Sequence, residues 1–255
     1  MTRPTAPPVR RRPPATGSRP RKRRQFIPPQ HGAWAMLLVP WLAAVLTLGL
    51  RWPHLPLLGA WLTGYLLSYY LLQAVKTGRF GRFRVQLWTY GVPTALLGGL
   101  VLLLRPDLLW YAPAYAVLLG VNVAYARRRA ERALGNDLAS VAQSCLMVFV
   151  CATAAGQPPE TVVTAFLAVT AYFIGTVLYV KTMIRERGST SYYRASVGYH
   201  VASVALAAWL GPPLLGVFLL LLVRAVVLPR HRLTPKHVGL IEILASALVL
   251  VASTS

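Results

Sequence analysis

The chain has 255 residues, of which 56% are apolar and only 13% carry charge. Soluble domains average about 25% charged residues, so this composition excludes an ordinary soluble enzyme. The apolar residues come in long blocks, which is typical of membrane-spanning helices. The two cysteines, Cys145 and Cys151, lie in one such block. Their spacing on a helix is too wide for a disulfide, and the redox compartment stays open. The long apolar blocks themselves exclude a secreted disulfide scaffold.

Residues 1–26 form a basic, proline-rich tail. Residues 1–24 contain nine Lys or Arg, six Pro and no acid. A segment with so little to bury is predicted to be disordered and to lie near anionic lipid headgroups. No aromatic residue interleaves the basic run, so a specific nucleic-acid partner is not expected. Residues 27–255 are predicted to form one transmembrane domain.

Nine apolar segments are separated by turn residues or by basic connections, and they predict a polytopic all-α bundle of nine transmembrane helices. The predicted spans are 33–50, 57–75, 85–104, 109–126, 138–155, 161–180, 196–210, 213–228 and 238–253. With the N-terminus inside, 25 Lys and Arg fall on the cytoplasmic side, and only Arg51 and Arg105 fall outside. This asymmetry predicts a cytoplasmic N-terminus and an external C-terminus. The net charge of +21 is then explained by topology.

Three segments resemble the YwiC-like family of bacterial integral membrane proteins. They are 30–37 (QHGAWAML), 131–139 (ERALGNDLA) and 179–188 (YVKTMIRERG). The resemblance covers residues 27–253 and implies a multi-pass protein of the bacterial cytoplasmic membrane. It implies no particular biochemical activity.

The layout is also distantly similar to the UbiA superfamily of intramembrane prenyltransferases. Those enzymes have nine helices and two Asp-rich motifs, at the cytoplasmic ends of the second and sixth helices, that hold Mg²⁺ on a prenyl diphosphate. The corresponding segment after Gln73 has no acid, since the first Asp or Glu of the chain is Asp107, and the second has only Glu186. Mg²⁺-dependent prenyl transfer is therefore not expected. No cofactor and no metal site are predicted, and whether the protein is an enzyme stays open.

The two segments carry cations in place of those acids, namely Lys76 and Arg79 in the first and Lys181 and Arg185 in the second. Lys and Arg can bind phosphate or carboxylate directly through charge-assisted hydrogen bonds. These four residues, with polar residues near the same ends of the spans, predict a site for an anionic lipid or a phosphorylated isoprenoid. The candidate ligand-binding residues are His31, Trp34, Gln73, Lys76, Arg79, Asn122, Tyr125, Arg128, Tyr179, Lys181 and Arg185. The alternative is that the cations only fix topology and extend to the headgroups.

Three acids are candidate counter-ions or proton-handling groups. Glu242 is the only acid deep within a predicted span, where Arg224 or Lys181 could neutralise it. Asp137 follows Asn136 before the fifth span and is interpreted as a helix cap, or as one half of an acid pair with Glu186.

Three functions are consistent with these residues. The first is a membrane protein that binds an anionic amphiphile, which includes a prenyltransferase with degenerate motifs. The second is a small anion transporter, and the third is a structural partner of another membrane protein, engaged through small residues such as Gly91 and Gly99. The outer halves of the spans contain few polar groups, which argues against a transport path.

Overall fold

A computed structural model describes residues 26–28 and 31–254, without the side chains of His31 and Gly32. This part of the chain is helical and contains no strand. The helices are α1 (His31–Leu48), α2 (His54–Thr77), α3 (Phe80–Leu104), α4 (Ala112–Arg127), α5 (Leu134–Cys145), α6 (Met147–Ala154), α7 (Val163–Val180), α8 (Thr190–Leu210), α9 (Pro212–Val227) and α10 (Pro235–Ala252). Residues 1–25 of the basic tail, which is predicted over residues 1–26, lie outside the described residues.

The ten helices make nine rods, because α5 and α6 are two halves of one rod with a break at Leu146. Over the described residues the rods therefore match the nine predicted spans. Seven of them are long and apolar enough to cross a membrane. The other two are α1, whose apolar part Ala33–Leu48 is shorter, and α8, whose first turn is polar. Cys145 and Cys151 lie on either side of the break as free, buried thiols, as predicted.

Local capping sets several helix boundaries that the apolar pattern misplaces. The predicted seventh span begins at residue 196, but α8 begins at Thr190, because the Ser189 side chain accepts a hydrogen bond from the Tyr192 amide. Thr234 caps α10 in the same way, with the His237 amide as donor. At the other end of a helix, Gly78 terminates α2 in the left-handed conformation, with φ of 66°.

Successive rods are joined by short connections and run in opposite directions, so the bundle has two ends. We call the end that carries the α2–α3, α4–α5, α7–α8 and α9–α10 connections the basic end. In the described residues it holds sixteen Lys and Arg within its connections and helix ends, whereas the opposite end holds Arg51 and Arg105. The sequence predicts the basic end to be cytoplasmic.

Helix α7 is the centre of the bundle and packs against α1, α5, α8 and α10. Its buried positions include Ala165, Ala168, Ala171 and Gly175, and such small residues let neighbouring backbones approach closely. Helix α3 lies at the edge, where it packs mainly on α2 and leaves most of its apolar side chains exposed. The polar residues that follow are therefore arranged around the end of α7.

Candidate functional site

Two lysines bind the connection between α4 and α5. Lys76, at the end of α2, places its Nζ 2.5 Å from Glu131 Oε1 in this connection. Lys181, which follows α7, places its Nζ 2.8 Å from Asp137 Oδ2 and donates to the Arg132 carbonyl at 2.6 Å. We call Lys76, Glu131, Lys181 and Asp137 the connector cluster. It ties the ends of α2 and α7 to one loop, so both cationic segments meet at the same place.

The backbone after α7 explains the position of Lys181. The segment Lys181–Arg185 is a single π-helical turn, a wider turn that often marks functional positions in helices. The Glu186 amide closes this turn by donating to the Lys181 carbonyl at 2.7 Å. Lys181 is thereby turned inward and is only 5% exposed. A buried ammonium needs an anion and hydrogen-bond acceptors, which Asp137 and Arg132 supply.

An amide network completes the start of α5. The buried Asn122 donates through Nδ2 to Asn136 Oδ1 at 2.9 Å and to Ser140 Oγ at 3.2 Å. Asn136 donates in turn to the Glu131 carbonyl at 2.8 Å. Tyr125 packs so closely on Gly135 that a Cβ there would lie 2.4 Å from its hydroxyl oxygen. The α4–α5 connection is thus fixed by hydrogen bonds on one side and by lysines on the other.

Charge changes the acidity of Glu131, which lies outside the membrane-spanning helices. Partial burial alone would raise the pKa of this carboxyl group. The hydrogen bond and the positive charge of Lys76 outweigh burial, so the pKa of Glu131 is lowered from its usual value. Glu131 is therefore ionised at neutral pH and available to hold Lys76.

A second charged group lies inside the bundle, between α7, α8, α9 and α10. Arg224 on α9 forms an ion pair with Glu242 on α10 and approaches His200 Nε2 on α8 at 3.4 Å. Its guanidinium lies over the ring of Tyr179, 4.2 Å from the centroid. Thr176 also donates to Glu242 Oε2, at 2.8 Å. We call Arg224, Glu242, His200, Tyr179 and Thr176 the Arg224 cluster.

The geometry of His200 indicates its role in this cluster. Its Nδ1 lies 2.7 Å from the Ser196 carbonyl, so Nδ1 carries the proton and donates. Nε2 then offers a lone pair to Arg224. A Cβ on Gly175 would lie 3.1 Å from this nitrogen, so the glycine leaves the room in which His200 fits.

Three buried polar atoms, two in the Arg224 cluster and one on Ser196, whose carbonyl contacts His200, have no hydrogen-bond partner among the described residues. They are Arg224 Nε, the Tyr179 hydroxyl and Ser196 Oγ. Buried polar groups are almost always paired in native proteins, so a concentration of unpaired ones indicates a missing partner. Because α7, α9 and α10 are apolar enough to span a membrane, these unpaired groups are especially costly here.

The remaining predicted ligand residues have less specific surroundings. Arg79, Arg128 and Arg185 are exposed at the basic end, and Gln73 is half-buried on α2. Trp34 is half-buried on α1 and contacts Tyr65 edge-on, with 6.3 Å between ring centroids. His31 begins α1, but its side chain lies outside the described part of the structure.

The acids at the basic end differ in part from the sequence prediction. The capping prediction for Asp137 holds in part, because α5 begins at Leu134 after the cap position Ala133, but Asp137 lies in the first turn, where a negative charge stabilises the helix N-terminus. Asp137 pairs there with Lys181 rather than with another acid.

Glu186 is half-buried and forms no ion pair within the described residues. Glu242 takes Arg224, one of its two predicted partners, as its counter-ion.

Sequence reasoning missed Glu131 and Thr176 as partners of charged groups. It named Arg224 as a possible counter-ion of Glu242 but did not place it in the candidate site. The available signal was an Arg three residues inside the end of an apolar helix, where an unpaired charge is costly. Among the described residues no group of three or more His, Cys, Asp or Glu side chains could hold a metal ion.

Comparison with known proteins gives a family but no activity. Residues 27–152 match the model of the family described as YwiC-like protein. The chain is 35% identical over 187 residues to the uncharacterized protein YwiC of Bacillus subtilis strain 168, covering 73% of this chain and 78% of the relative. It is 30% identical over 229 residues to an uncharacterized protein of Haemophilus influenzae, covering 87% and 94%. No solved structure matches the chain.

Proposed function

Because the chain belongs to the YwiC-like family, whose two matched relatives are described as uncharacterized, we propose a function from its own residues. The protein is a multi-pass membrane protein that binds an anionic amphiphile, a lipid or a phosphorylated isoprenoid, at its basic end. It lies in the cytoplasmic membrane with the basic end toward the cytoplasm, as the positive-inside rule favours.

The observation that carries this proposal is a difference among the cations at the basic end. Lys76, Lys181 and Arg224 are each paired with an acid. Arg79, Arg128 and Arg185 are exposed and form no ion pair within the described residues. The lysines hold the ends of α2 and α7 on the α4–α5 connection, and these arginines lie on the same three segments. The two lysines thus hold the helix ends in place, and the three exposed arginines provide the positive charge that binds the anionic ligand.

Guanidinium groups suit the proposed ligand. Arg presents two parallel N–H donors to a phosphate or carboxylate and stays charged at any physiological pH. A phosphate held by such arginines needs no metal ion to balance its charge. The hydrocarbon tail of the ligand lies among the apolar side chains of the spans, which lowers the cost of keeping the head at the end of the bundle.

A second candidate is a small anion transporter, and the Arg224 cluster is the observation that favours it. Ionisable residues inside transmembrane helices often mark ion or proton pathways. The cluster lies within about three turns of the basic end, since Glu242 is seven residues into α10 and His200 ten residues into α8. Electrogenic anion flux in vesicles, lost on replacement of Arg224, would establish this candidate.

Native mass spectrometry of the detergent-extracted protein tests the proposed binding. The test variant is Arg79→Gln/Arg128→Gln/Arg185→Gln, which leaves both lysine ion pairs intact. The matched control is Arg230→Gln/Arg232→Gln/Lys236→Gln, which removes the same number of exposed cations from the α9–α10 connection and the first turn of α10. We expect a defined anionic amphiphile on the wild type and the control but not on the test variant. Equal retention by all three proteins would overturn the proposal, as would equal loss from both variants.

A further inference from the structure

An open groove of about 350 Å³ runs between α9 and α10. Its walls are aliphatic except at Arg224. The lining includes Leu220, Leu221, Leu244, Ala245 and Leu248. Leu220 and Leu244 are exposed, and both helices are apolar enough to span a membrane. The groove therefore faces the hydrocarbon of the bilayer.

Arg224 is the polar side chain among the residues that line this groove. The residue is only 7% exposed, its Nη1 contacts Glu242, and its Nη2 faces His200. Its Nε–H has no acceptor among the described residues. A donor left unpaired in a membrane-spanning helix costs the full loss of its hydration, so an acceptor from the surrounding lipid is favoured there.

Charge and depth restrict what that acceptor can be. Arg224 and Glu242 together are neutral, and a further charge buried beside them would have no counter-ion. The acceptor is therefore an uncharged oxygen. Arg224 lies three residues before the end of α9, about 5 Å along the axis, which is near the edge of the apolar region. The uncharged oxygens found at that depth in a bilayer are the ester carbonyls of phospholipids.

We propose that the α9–α10 groove binds one acyl chain of a bilayer phospholipid, with its ester carbonyl accepting a hydrogen bond from Arg224 Nε. The chain runs from Arg224 along Leu221, Leu244 and Leu248 toward the opposite end. Nε is covered by its neighbours, so the carbonyl reaches it only when the side chains of α9 and α10 part. This site is separate from the arginines of the proposed function and does not depend on them.

The test uses the full-length protein in phosphatidylcholine vesicles doped with a phosphatidylcholine that carries a diazirine on one acyl chain. Light-induced cross-links are mapped by peptide mass spectrometry. The blocking variant is Leu244→Trp, which fills the groove from a residue that is 61% exposed. The matched control is Ile243→Trp on the same helix, 60% exposed and outside the groove lining.

We expect cross-links concentrated on α9 and α10 in the wild type and in Ile243→Trp. In Leu244→Trp they should fall to the level of the other lipid-facing helices. The second arm needs no variant, because it replaces the ester probe by its ether analogue, which lacks the carbonyl. A hydrogen bond to a charged donor predicts about tenfold less α9–α10 cross-linking with the ether probe.

Two results would overturn the inference. One is cross-linking spread over all lipid-facing helices in the wild type, and the other is an equal yield from the ester and ether probes. An anionic phosphatidylglycerol probe distinguishes this site from the proposed function. The groove should take it no better than phosphatidylcholine, whereas the exposed arginines should prefer it.

Discussion

The connector cluster and the Arg224 cluster both pair cations with acids, but they do so in different surroundings. Glu131 lies in a connection and Asp137 in the first turn of α5, with part of each side chain exposed. Arg224 and Glu242 lie inside α9 and α10, with 7% and 13% of their side chains exposed. The strength of an ion pair depends on the surrounding polarity, and so does the cost of breaking it. Chemically similar pairs should therefore differ widely in their contribution to stability.

The largest effect is expected from Glu242→Gln. This change leaves the Arg224 charge buried without an anion, and breaking a buried pair from one side costs about 3–5 kcal/mol. The free energy of unfolding, measured by titration with sodium dodecyl sulfate in mixed micelles, should fall by that amount. The control is Arg224→Met/Glu242→Gln, which removes both charges but keeps an acceptor for Thr176. It should be more stable than the single variant, and an equal loss in both would contradict a charge-based cost.

Lys181→Met should have an intermediate effect. It removes a nearly buried ammonium and leaves Asp137 and the Arg132 carbonyl without their donor. Asp137 keeps some access to water, so the expected loss is about 1–3 kcal/mol in the same titration. Adding Asp137→Asn removes the unpaired charge and should recover part of the loss. If Asp137→Asn deepens the loss instead, Asp137 is held by partners other than Lys181.

Lys76→Met should have the smallest effect, because about a third of each partner's side chain is exposed. Pairs of this kind contribute about 0–1 kcal/mol, and salt reduces the contribution further. The pKa of Glu131 is lowered in the folded protein. Its contribution is therefore fully present above the unfolded pKa of about 4.3 and is lost as the pH falls through the folded value.

The measurement is stability as a function of pH and salt for the wild type and Lys76→Met. The variant should lose the part of the acid dependence that comes from Glu131, and the difference between the two proteins should shrink in high salt. A difference that stays constant across both series would show that Lys76 stabilises the connection by packing rather than by charge.

The fold was largely predictable, because membrane insertion follows local properties of the chain. Each span needs about 20 apolar residues, and this requirement can be read without knowledge of any neighbouring span. The errors lie where a side chain overrides the apolar pattern, as at Ser189, whose cap starts α8 at Thr190, six residues before the predicted start. The break at Leu146 within the fifth span was also missed, since the sequence around it is apolar on both sides.

The candidate site was predictable only in part. The sequence selected Lys76, Lys181, Asp137 and Glu242 as charged residues near the same ends of their spans. It gave Glu131 no role and left Asp137 with two possible roles, a helix cap or one half of an acid pair with Glu186. Which acid meets which cation depends on the packing of helices that are distant in sequence, and hydropathy carries no information about that packing.

The sequence by itself determined the number of helical rods in the described residues, the alternation of basic and non-basic connections and the family. These properties follow from composition along short segments, and each segment contributes independently. Only the tertiary structure decided that the lysines are neutralised while Arg79, Arg128 and Arg185 stay exposed, and that Arg224 lines a groove with one donor unpaired. An ion pair or an unpaired group exists only where side chains from different helices meet, and close packing around α7 fixes where they do.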